Sequence, residues 1–299
     1  MSEVDQVAVR APRLPAAIRA MRPRQWVKNV LVTTAPLAAG RLFDPGVLSR
    51  TALAFVAFCL VSATVYLVND VRDVDEDRLH PRKRFRPIAA RELRPRTALV
   101  LAAITAALGL ALGFSVALPL GITLVIYVAL QILYSAFLKH LPVVDLAMVA
   151  SGFLLRAIAG GVATGIPLSQ WFLLVAAFGS FFMVAGKRYS EMKAIGGEAG
   201  TRRSLTRYSE SYLRFAWMLA AVMVLISYSL WAFTTAGNGV LDIPWRAISI
   251  APFTLGLLQY ALEVDAGNAG EPEEVVLHDH VLQGIGVIWL VLISVAVFF

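Results

Sequence analysis

Uninterrupted apolar segments recur along almost the whole chain, and they restrict its fold more than any other feature. Residues 51–68, TALAFVAFCLVSATVYLV, carry no charged side chain. A helix needs about 20 such residues to cross the hydrocarbon core of a bilayer. Lipid admits only helices and closed barrels, and continuous apolar runs favour helices over the alternating strands of a barrel. We therefore expect an all-α polytopic membrane protein.

Nine apolar spans can be delimited in the 299 residues, and no polar block between them is long enough to fold alone. The hydrophobic content of 58% also exceeds the roughly 45–50% of soluble domains. We predict one bundle of about nine transmembrane helices, residues 21–299, after a flexible cytoplasmic segment, residues 1–20. The predicted spans are 26–42, 50–71, 97–116, 118–138, 144–164, 170–188, 211–236, 244–262 and 278–299.

Basic residues are distributed unevenly between the loops, and this distribution predicts the orientation. Twenty-three of the 27 Lys and Arg residues fall in alternate segments on one side, against three in the intervening loops. The positive-inside rule then places the N-terminus in the cytoplasm and the C-terminus outside the plasma membrane. The same rule accounts for most of the net charge of +7, so this charge does not indicate nucleic acid as a partner.

An acidic cluster, NDVRDVDED, follows directly on the second span. At helical spacing Asn69, Asp70, Asp73 and Asp77 fall within one narrow arc, whereas Asp75 points to the opposite side. Like charges at this spacing repel one another, so a cation is expected between them. Oxygen ligands at a membrane mouth favour Mg²⁺, which commonly bridges to substrate phosphates. A solvated acidic helix end is the alternative, and charge at the apolar edge argues against it.

Basic residues follow the acidic ones almost at once. Lys83, Arg84 and Arg86 are placed to grip phosphate oxygens, although a role in topology alone is the alternative. Arg156 lies about 18 Å inside the fifth span and needs a partner within the bundle. That partner is a substrate phosphate or a polar group of another helix. The Tyr134 hydroxyl faces either the site or the membrane interface.

Three motifs resemble the UbiA superfamily of intramembrane prenyltransferases. NDVRDVDED matches NDxxDxxxD, the first Asp-rich signature of that superfamily. MRPRQWVKN, residues 21–29, resembles its RPxQWxKN element, and YSAFLK resembles the Tyr…Lys element after its fourth helix. The resemblance implies a UbiA-like helical bundle over residues 21–299, bound Mg²⁺ and a phosphate-bearing isoprenoid substrate. It also places Lys28 and Lys139 near a substrate phosphate.

One departure from the superfamily pattern is informative. Ordinary members carry a second Asp-rich motif, DxxxD, at the end of the sixth helix, whereas this chain reads GKRYSEMK there. Lys187 and Arg188 stand where acids are expected, and Glu191 is the acid that remains. The resemblance is strongest to the branch that transfers phosphoribosyl from phosphoribosyl diphosphate to a polyprenyl phosphate such as decaprenyl phosphate, for cell-wall arabinan. Transfer of a prenyl chain to an aromatic acceptor, and transport of anions or lipid phosphates, remain the alternatives.

The residues fall into three predicted roles. For the metal, the ligands are Asn69, Asp70, Asp73 and Asp77. For catalysis, the residues are Asn69, Asp73, Asp77 and Lys187. For substrate binding, the residues are Lys28, Lys83, Arg84, Arg86, Tyr134, Lys139, Arg156, Arg188 and Glu191.

GVATG, residues 161–165, is a pair of glycines at small-xxx-small spacing. Such pairs let two helices approach closely, so we predict close helix packing here. The packing is possible within one subunit or between subunits, and the sequence therefore leaves a homo-oligomer open.

Replacement of Asp73 or Asp77 by Asn should abolish turnover without unfolding the protein. The amide keeps the shape of the side chain but removes the charge that holds Mg²⁺. Turnover of the two variants in detergent, alongside a size-exclusion profile to show that each is folded, checks this expectation. Full activity in both variants would rule out the assignment of the metal site.

Overall fold

The computed structural model describes residues 14–194, 208–234 and 243–298, and these residues contain helices and no strand. Eight helices in these ranges are long and apolar enough to cross a membrane. They are Pro45–Arg72, Pro95–Val116, Leu118–Leu138, Val144–Thr164, Gln170–Lys193, Glu210–Thr234, Trp245–Ala266 and His280–Phe298.

Shorter helical pieces join the long ones. The α-helices are, in chain order, α1 Ala16–Ala20, α2 Thr34–Ala38, α3 Pro45–Arg72, α4 Val74–Leu79, α5 Pro95–Val116, α6 Leu118–Leu133, α7 Val144–Thr164, α8 Gln170–Ala194, α9 Glu210–Thr234, α10 Trp245–Ile248, α11 Ile250–Ala266, α12 Pro272–His278 and α13 His280–Phe298. Two 3₁₀-helices, Pro23–Thr33 and Lys83–Phe85, and a π-helix, Tyr134–Leu138, complete the described elements.

The first predicted span, 26–42, is not a membrane-spanning helix, so the count of nine is not confirmed. A 3₁₀-helix, Pro23–Thr33, occupies most of it, and α2 follows. The polar Asn29 in this segment is fully buried, and its side chain is hydrogen-bonded to other helices. The other eight predicted spans each correspond to one long helix. Of the predicted flexible segment 1–20, residues 1–13 lie outside the described residues, and its end forms α1.

Helix α7 is shared by two hydrophobic cores. Its first half contributes Leu146 and Ala150 to a core formed with α8, α9 and α11. Its second half contributes Ala159 and Ala163 to a core formed with the first 3₁₀-helix, α3 and α6. The two halves of the bundle are therefore joined through one helix.

Among the described glycines, Gly160 of α7 leaves the least room for a side chain. A Cβ atom on this residue would lie 1.9 Å from the backbone oxygen of Val32 in the 3₁₀-helix. Within the described part of this chain, the contacts around GVATG do not show the predicted helix pair, and packing between subunits stays a prediction. A Cβ on Gly161 would meet Leu168 of the loop after α7, and Gly165 ends that helix at φ 71°. Within this chain both glycines therefore serve the end of the helix.

Gly160→Ala should destabilise the protein by about 3 kcal/mol, because the new methyl group meets backbone, which cannot rotate away. Gly284→Ala in α13 is the matched control, since its Cβ would meet no atom within 4 Å. Thermal unfolding of both variants in the same detergent should show a clearly lower melting temperature for Gly160→Ala and no decrease for Gly284→Ala. Equal melting temperatures would contradict the close approach.

Candidate active site

The acidic motif lies at the junction of α3 and α4. The backbone N–H of Asp73 donates to the backbone carbonyl oxygen of Asn69 at 2.9 Å. The backbone N–H of Asp77 donates to the backbone carbonyl oxygen of Asp73 at 2.8 Å. This i to i+4 pattern continues across the junction, so the three residues lie on successive turns of one face. Asp75 is 88% exposed and pairs with Arg78, as predicted for the opposite side.

Two of the carboxylates are almost completely buried and share one guanidinium. Arg86 Nη1 lies 2.6 Å from Asp77 Oδ2 and 3.2 Å from Asp70 Oδ1. Arg22 also pairs with Asp70, and Lys83 Nζ lies 3.8 Å from Asp77 Oδ1. Carboxylates and cations therefore alternate at this end of the bundle. Paired charges of this kind are tolerated where single ones are not.

The π-helix after α6 connects this acidic face to a second cluster. Lys139, at its end, places Nζ 3.2 Å from Asp73 Oδ1. Tyr134, at its start, donates its hydroxyl hydrogen to Asp145 Oδ1 at 2.5 Å. Asp145 lies in the first turn of α7 and is 1% exposed. One short segment thus positions side chains in both clusters.

The second cluster is completed by the end of α8. Arg188 Nη2 lies 3.2 Å from Asp145 Oδ2, and its Nη1 lies 3.2 Å from Glu191 Oε2. Lys187 Nζ lies 3.4 Å from Glu191 Oε1 and donates to the backbone oxygen of Gly270. Lys187, Arg188 and Glu191 therefore lie together at the end of α8, and Asp145 of α7 joins them.

The start of α7 is held in an unusual backbone conformation. Val143 has φ 66°, which is costly for a β-branched residue, on the order of 1–3 kcal/mol. Its N–H donates at 2.7 Å to the hydroxyl of Tyr208, and burial raises the pKa of that hydroxyl. Val143 lies two residues before Asp145, so this bend directs the first turn of α7 toward Arg188.

Two further predicted substrate-binding residues are at least partly exposed. Arg84 is exposed, and its guanidinium carbon lies 4.8 Å from the centroid of the Phe85 ring. Lys28 is partly exposed on the first 3₁₀-helix, next to the buried Asn29. For both residues the substrate contact stays a prediction.

Arg156 is enclosed by neutral groups rather than by acids. Its Nε donates to Asn29 Oδ1 at 2.7 Å and its Nη1 to the backbone oxygen of Gly152 at 2.6 Å. Its Nη2 donates to the Tyr127 hydroxyl at 2.9 Å and to Ser62 Oγ at 3.2 Å. The side chain is 5% exposed and joins four elements. The structure does not bring it together with the other predicted phosphate-binding residues.

The oxygen donors at the α3–α4 junction are of the type that Mg²⁺ binds. Asn69, Asp73 and Asp77 share one face, and Asp70 Oδ2 is buried with no hydrogen-bond partner among the described residues. Among the described residues, no group of three or more Asp, Glu, His or Cys side chains is close enough together to hold a metal ion. Basic side chains pair with the carboxylates instead. These oxygen ligands fit a hard divalent cation when the basic side chains pair with other anions and leave the carboxylates.

Comparison with known proteins assigns the chain to a family. The model of the UbiA prenyltransferase family matches residues 30–297. The chain belongs to this family. The solved structure of a UbiA homologue from Archaeoglobus fulgidus, bound to GPP and Mg²⁺, superposes with a TM-score of 0.70 over 95% of this chain and 99% of that one. At 19% sequence identity, that likeness shows the UbiA fold.

Curated members of the UbiA family are more similar in sequence. The decaprenyl-phosphate phosphoribosyltransferase of Mycobacterium tuberculosis is 48% identical over the full length of both chains. The protein of the same name from Corynebacterium glutamicum is 50% identical over 94% of this chain and 86% of its own.

Sequence reasoning missed two residues of this UbiA-family site. Arg22 pairs with the buried Asp70, and Asp145 joins Tyr134 to Arg188. Arg22 lies inside the quoted MRPRQWVKN element, where Lys28 alone was selected. Asp145, like Asp70, is an acid at the edge of an apolar span, so the cost of charge at that depth was a usable signal.

Asp145→Ala should destabilise the fold by about 3–5 kcal/mol, because it leaves Arg188 buried with one acidic partner removed. Asp44→Ala is the control, since it removes an exposed pair with Arg41 and should cost about 1 kcal/mol or less. Chemical unfolding in detergent measures both. Equal losses for the two variants would show that the buried pair does not hold α7 to α8.

Proposed function

We propose that this protein transfers a 5-phosphoribosyl group from phosphoribosyl diphosphate to decaprenyl phosphate, with release of diphosphate. The observation that carries this proposal is identity of 48% along the whole chain to a protein named for this activity. Such an enzyme is a Mg²⁺-dependent pentosyltransferase acting on a polyprenyl phosphate. Its product would feed the synthesis of cell-wall arabinan, as in arabinogalactan.

The distribution of charge supports this donor. Phosphoribosyl diphosphate carries phosphate groups on both ends of its sugar. Two basic groups border the site, Lys83, Arg86 and Lys139 around the acidic face and Lys187 at the end of α8. Cations on two sides suit a donor with anionic groups at two positions, and arginine binds phosphate oxygens in pairs.

An exchange of ion pairs follows from this arrangement. In the structure Arg86 and Lys83 neutralise Asp77, and Lys139 neutralises Asp73. A diphosphate entering the site offers those basic groups a new anion. The carboxylates are then released to hold a divalent cation. The same side chains thus keep the site electrically balanced with and without the donor.

Asn69, Asp73 and Asp77 would hold Mg²⁺, with Asp70 as a further ligand. When bound, Mg²⁺ supplies positive charge that stabilises the departing diphosphate. Lys83, Arg86 and Lys139 add to that stabilisation through their own hydrogen bonds to the diphosphate oxygens.

The transfer requires no strong base in this proposal. A phosphate oxygen of decaprenyl phosphate is already anionic near neutral pH, and it forms the new bond to carbon 1 of the ribose. The bond from carbon 1 to the diphosphate breaks and leaves its electron pair on the diphosphate oxygen. Rate enhancement then comes from positioning and electrostatics, to which Lys187 contributes by holding donor phosphate.

The acceptor phosphate enters from the lipid. Lys28 and Arg84 are the remaining basic residues that we assign to it. We leave Arg156 out of the substrate contacts, because Asn29, Gly152 and other neutral groups engage its donors. The positive-inside rule supports a multi-pass protein of the plasma membrane with the N-terminus and the site on the cytoplasmic side.

The deciding experiment uses purified protein with Mg²⁺ and decaprenyl phosphate. One sample receives phosphoribosyl diphosphate, and a parallel sample receives a prenyl diphosphate with 4-hydroxybenzoate. Mass spectrometry of the lipid extract should find a phosphoribosyl lipid in the first sample. Addition of EDTA should abolish it, because without Mg²⁺ the ionised carboxylates repel the leaving diphosphate instead of holding a cation that stabilises it.

The parallel sample tests ordinary UbiA-family chemistry, the transfer of a prenyl chain to an aromatic acceptor. A prenylated aromatic there, and no phosphoribosyl lipid in the first sample, would overturn the proposal. Formation of the phosphoribosyl lipid in EDTA would support the transfer reaction but contradict its dependence on Mg²⁺.

A further inference from the structure

The cluster at the end of α8 is balanced in charge, which is unusual for a phosphate site. The two cations Lys187 and Arg188 are paired with the two carboxylates Asp145 and Glu191. A phosphate needs an excess of positive charge, and a carboxylate beside it is repulsive. Arg188 is paired with both carboxylates, so the part of the cluster around it is better suited to a neutral, hydroxyl-rich group than to the phosphate that we assign to Lys187.

The direction of the Tyr134 hydrogen bond matters for what this residue offers to a ligand. Its hydroxyl donates to Asp145 Oδ1 at 2.5 Å, and Arg188 pairs with the same carboxylate. A carboxylate in an ion pair can only accept hydrogen bonds, so the tyrosine proton is committed to it. Toward a ligand the phenol oxygen therefore acts as an acceptor. Phosphate oxygens have no hydrogen to give to it, whereas sugar hydroxyls do.

Arg188 and Glu191 add a hydrogen-bond donor and a second acceptor beside the Tyr134 phenol oxygen. The two Nη atoms of Arg188 bind Glu191 and Asp145. Its Nε is buried without a hydrogen-bond partner among the described residues, which leaves one N–H donor for a ligand. The Glu191 side chain is 20% exposed, against 1% for Asp145, so a ligand meets the glutamate carboxylate and not the aspartate.

We propose that Tyr134, Arg188 and Glu191 bind the hydroxyl groups of the donor ribose, an inference that rests on the proposed function. Tyr134 and Glu191 accept hydrogen bonds from the hydroxyls, and Arg188 donates one through Nε. Asp145 is a positioning residue that fixes the phenol and the guanidinium and does not touch the donor. This cluster then distinguishes a phosphoribosyl donor from a prenyl diphosphate, which has no hydroxyl groups.

Equilibrium binding without acceptor tests the inference. Four probes are titrated in Mg²⁺: phosphoribosyl diphosphate, its analogues lacking the ribose 2- or 3-hydroxyl, and inorganic diphosphate. Tyr134→Phe should raise the Kd of the full donor about 5- to 10-fold, the value of one neutral hydrogen bond. It should leave unchanged the Kd of the analogue that lacks the contacted hydroxyl, and that of diphosphate. Tyr228→Phe, which removes a hydroxyl bonded to Ser249 elsewhere in the bundle, should change none of the four values.

Glu191→Gln distinguishes a hydroxyl-binding site from a phosphate-binding site, because the two predict opposite changes in Kd. At a hydroxyl site the amide is the poorer acceptor, so the Kd of the full donor should rise by about 10-fold while that of diphosphate stays constant. At a phosphate site the loss of a negative charge should tighten binding of both probes. Tighter binding of diphosphate by this variant, or an equal loss for all four probes with Tyr134→Phe, overturns the inference.

Failure of the inference is distinguishable from failure of the proposed function. A wild-type protein that makes phosphoribosyl lipid but does not discriminate against the deoxy analogues loses only the hydroxyl site. A wild-type protein that makes no phosphoribosyl lipid loses both proposals.

Discussion

The pairing of buried carboxylates with guanidinium groups at one end of the bundle is the interaction on which the site depends. Asp70 and Asp145 are both buried where apolar helices end, and a single charge there is expensive. Arg22 and Arg86 neutralise the first, and Arg188 neutralises the second. Each pair also joins separate elements, so the charges that suit the site for a polyphosphate donor also fix the ends of α3, α7 and α8.

Two clusters with different charge balance lie side by side in this arrangement. The acidic face of α3 and α4 is surrounded by more cations than it has carboxylates, whereas the α8 cluster is neutral in sum. The π-helix, Tyr134–Leu138, connects them. A donor built from anionic phosphates and a neutral sugar fits such a division, because each part meets side chains of suitable polarity. A prenyl diphosphate would use only one of the two clusters.

Local patterns predicted a large part of this structure. Hydropathy identified the eight long helices of the described ranges, and helical spacing placed Asn69, Asp73 and Asp77 on one face with Asp75 opposite. The failures concern contacts between residues far apart in the chain. The apolar run near Val32 was predicted to span the membrane, but it forms a 3₁₀-helix that packs its backbone against Gly160 of α7. The pair of Arg22 with Asp70 spans 48 positions, and no periodicity within one segment reports such a partner. Asp145 was passed over for the same reason, because its partner Arg188 lies 43 positions away in the chain.

The surroundings of Arg156 have a consequence for the order of synthesis. Three of its hydrogen-bond partners, Asn29, Ser62 and Tyr127, precede it in the chain, and the fourth, Gly152, belongs to its own helix. A ribosome therefore delivers every group that solvates this guanidinium before it delivers the arginine itself. The charge enters the membrane when its polar surroundings already exist, and its helix does not have to wait in lipid for a later segment.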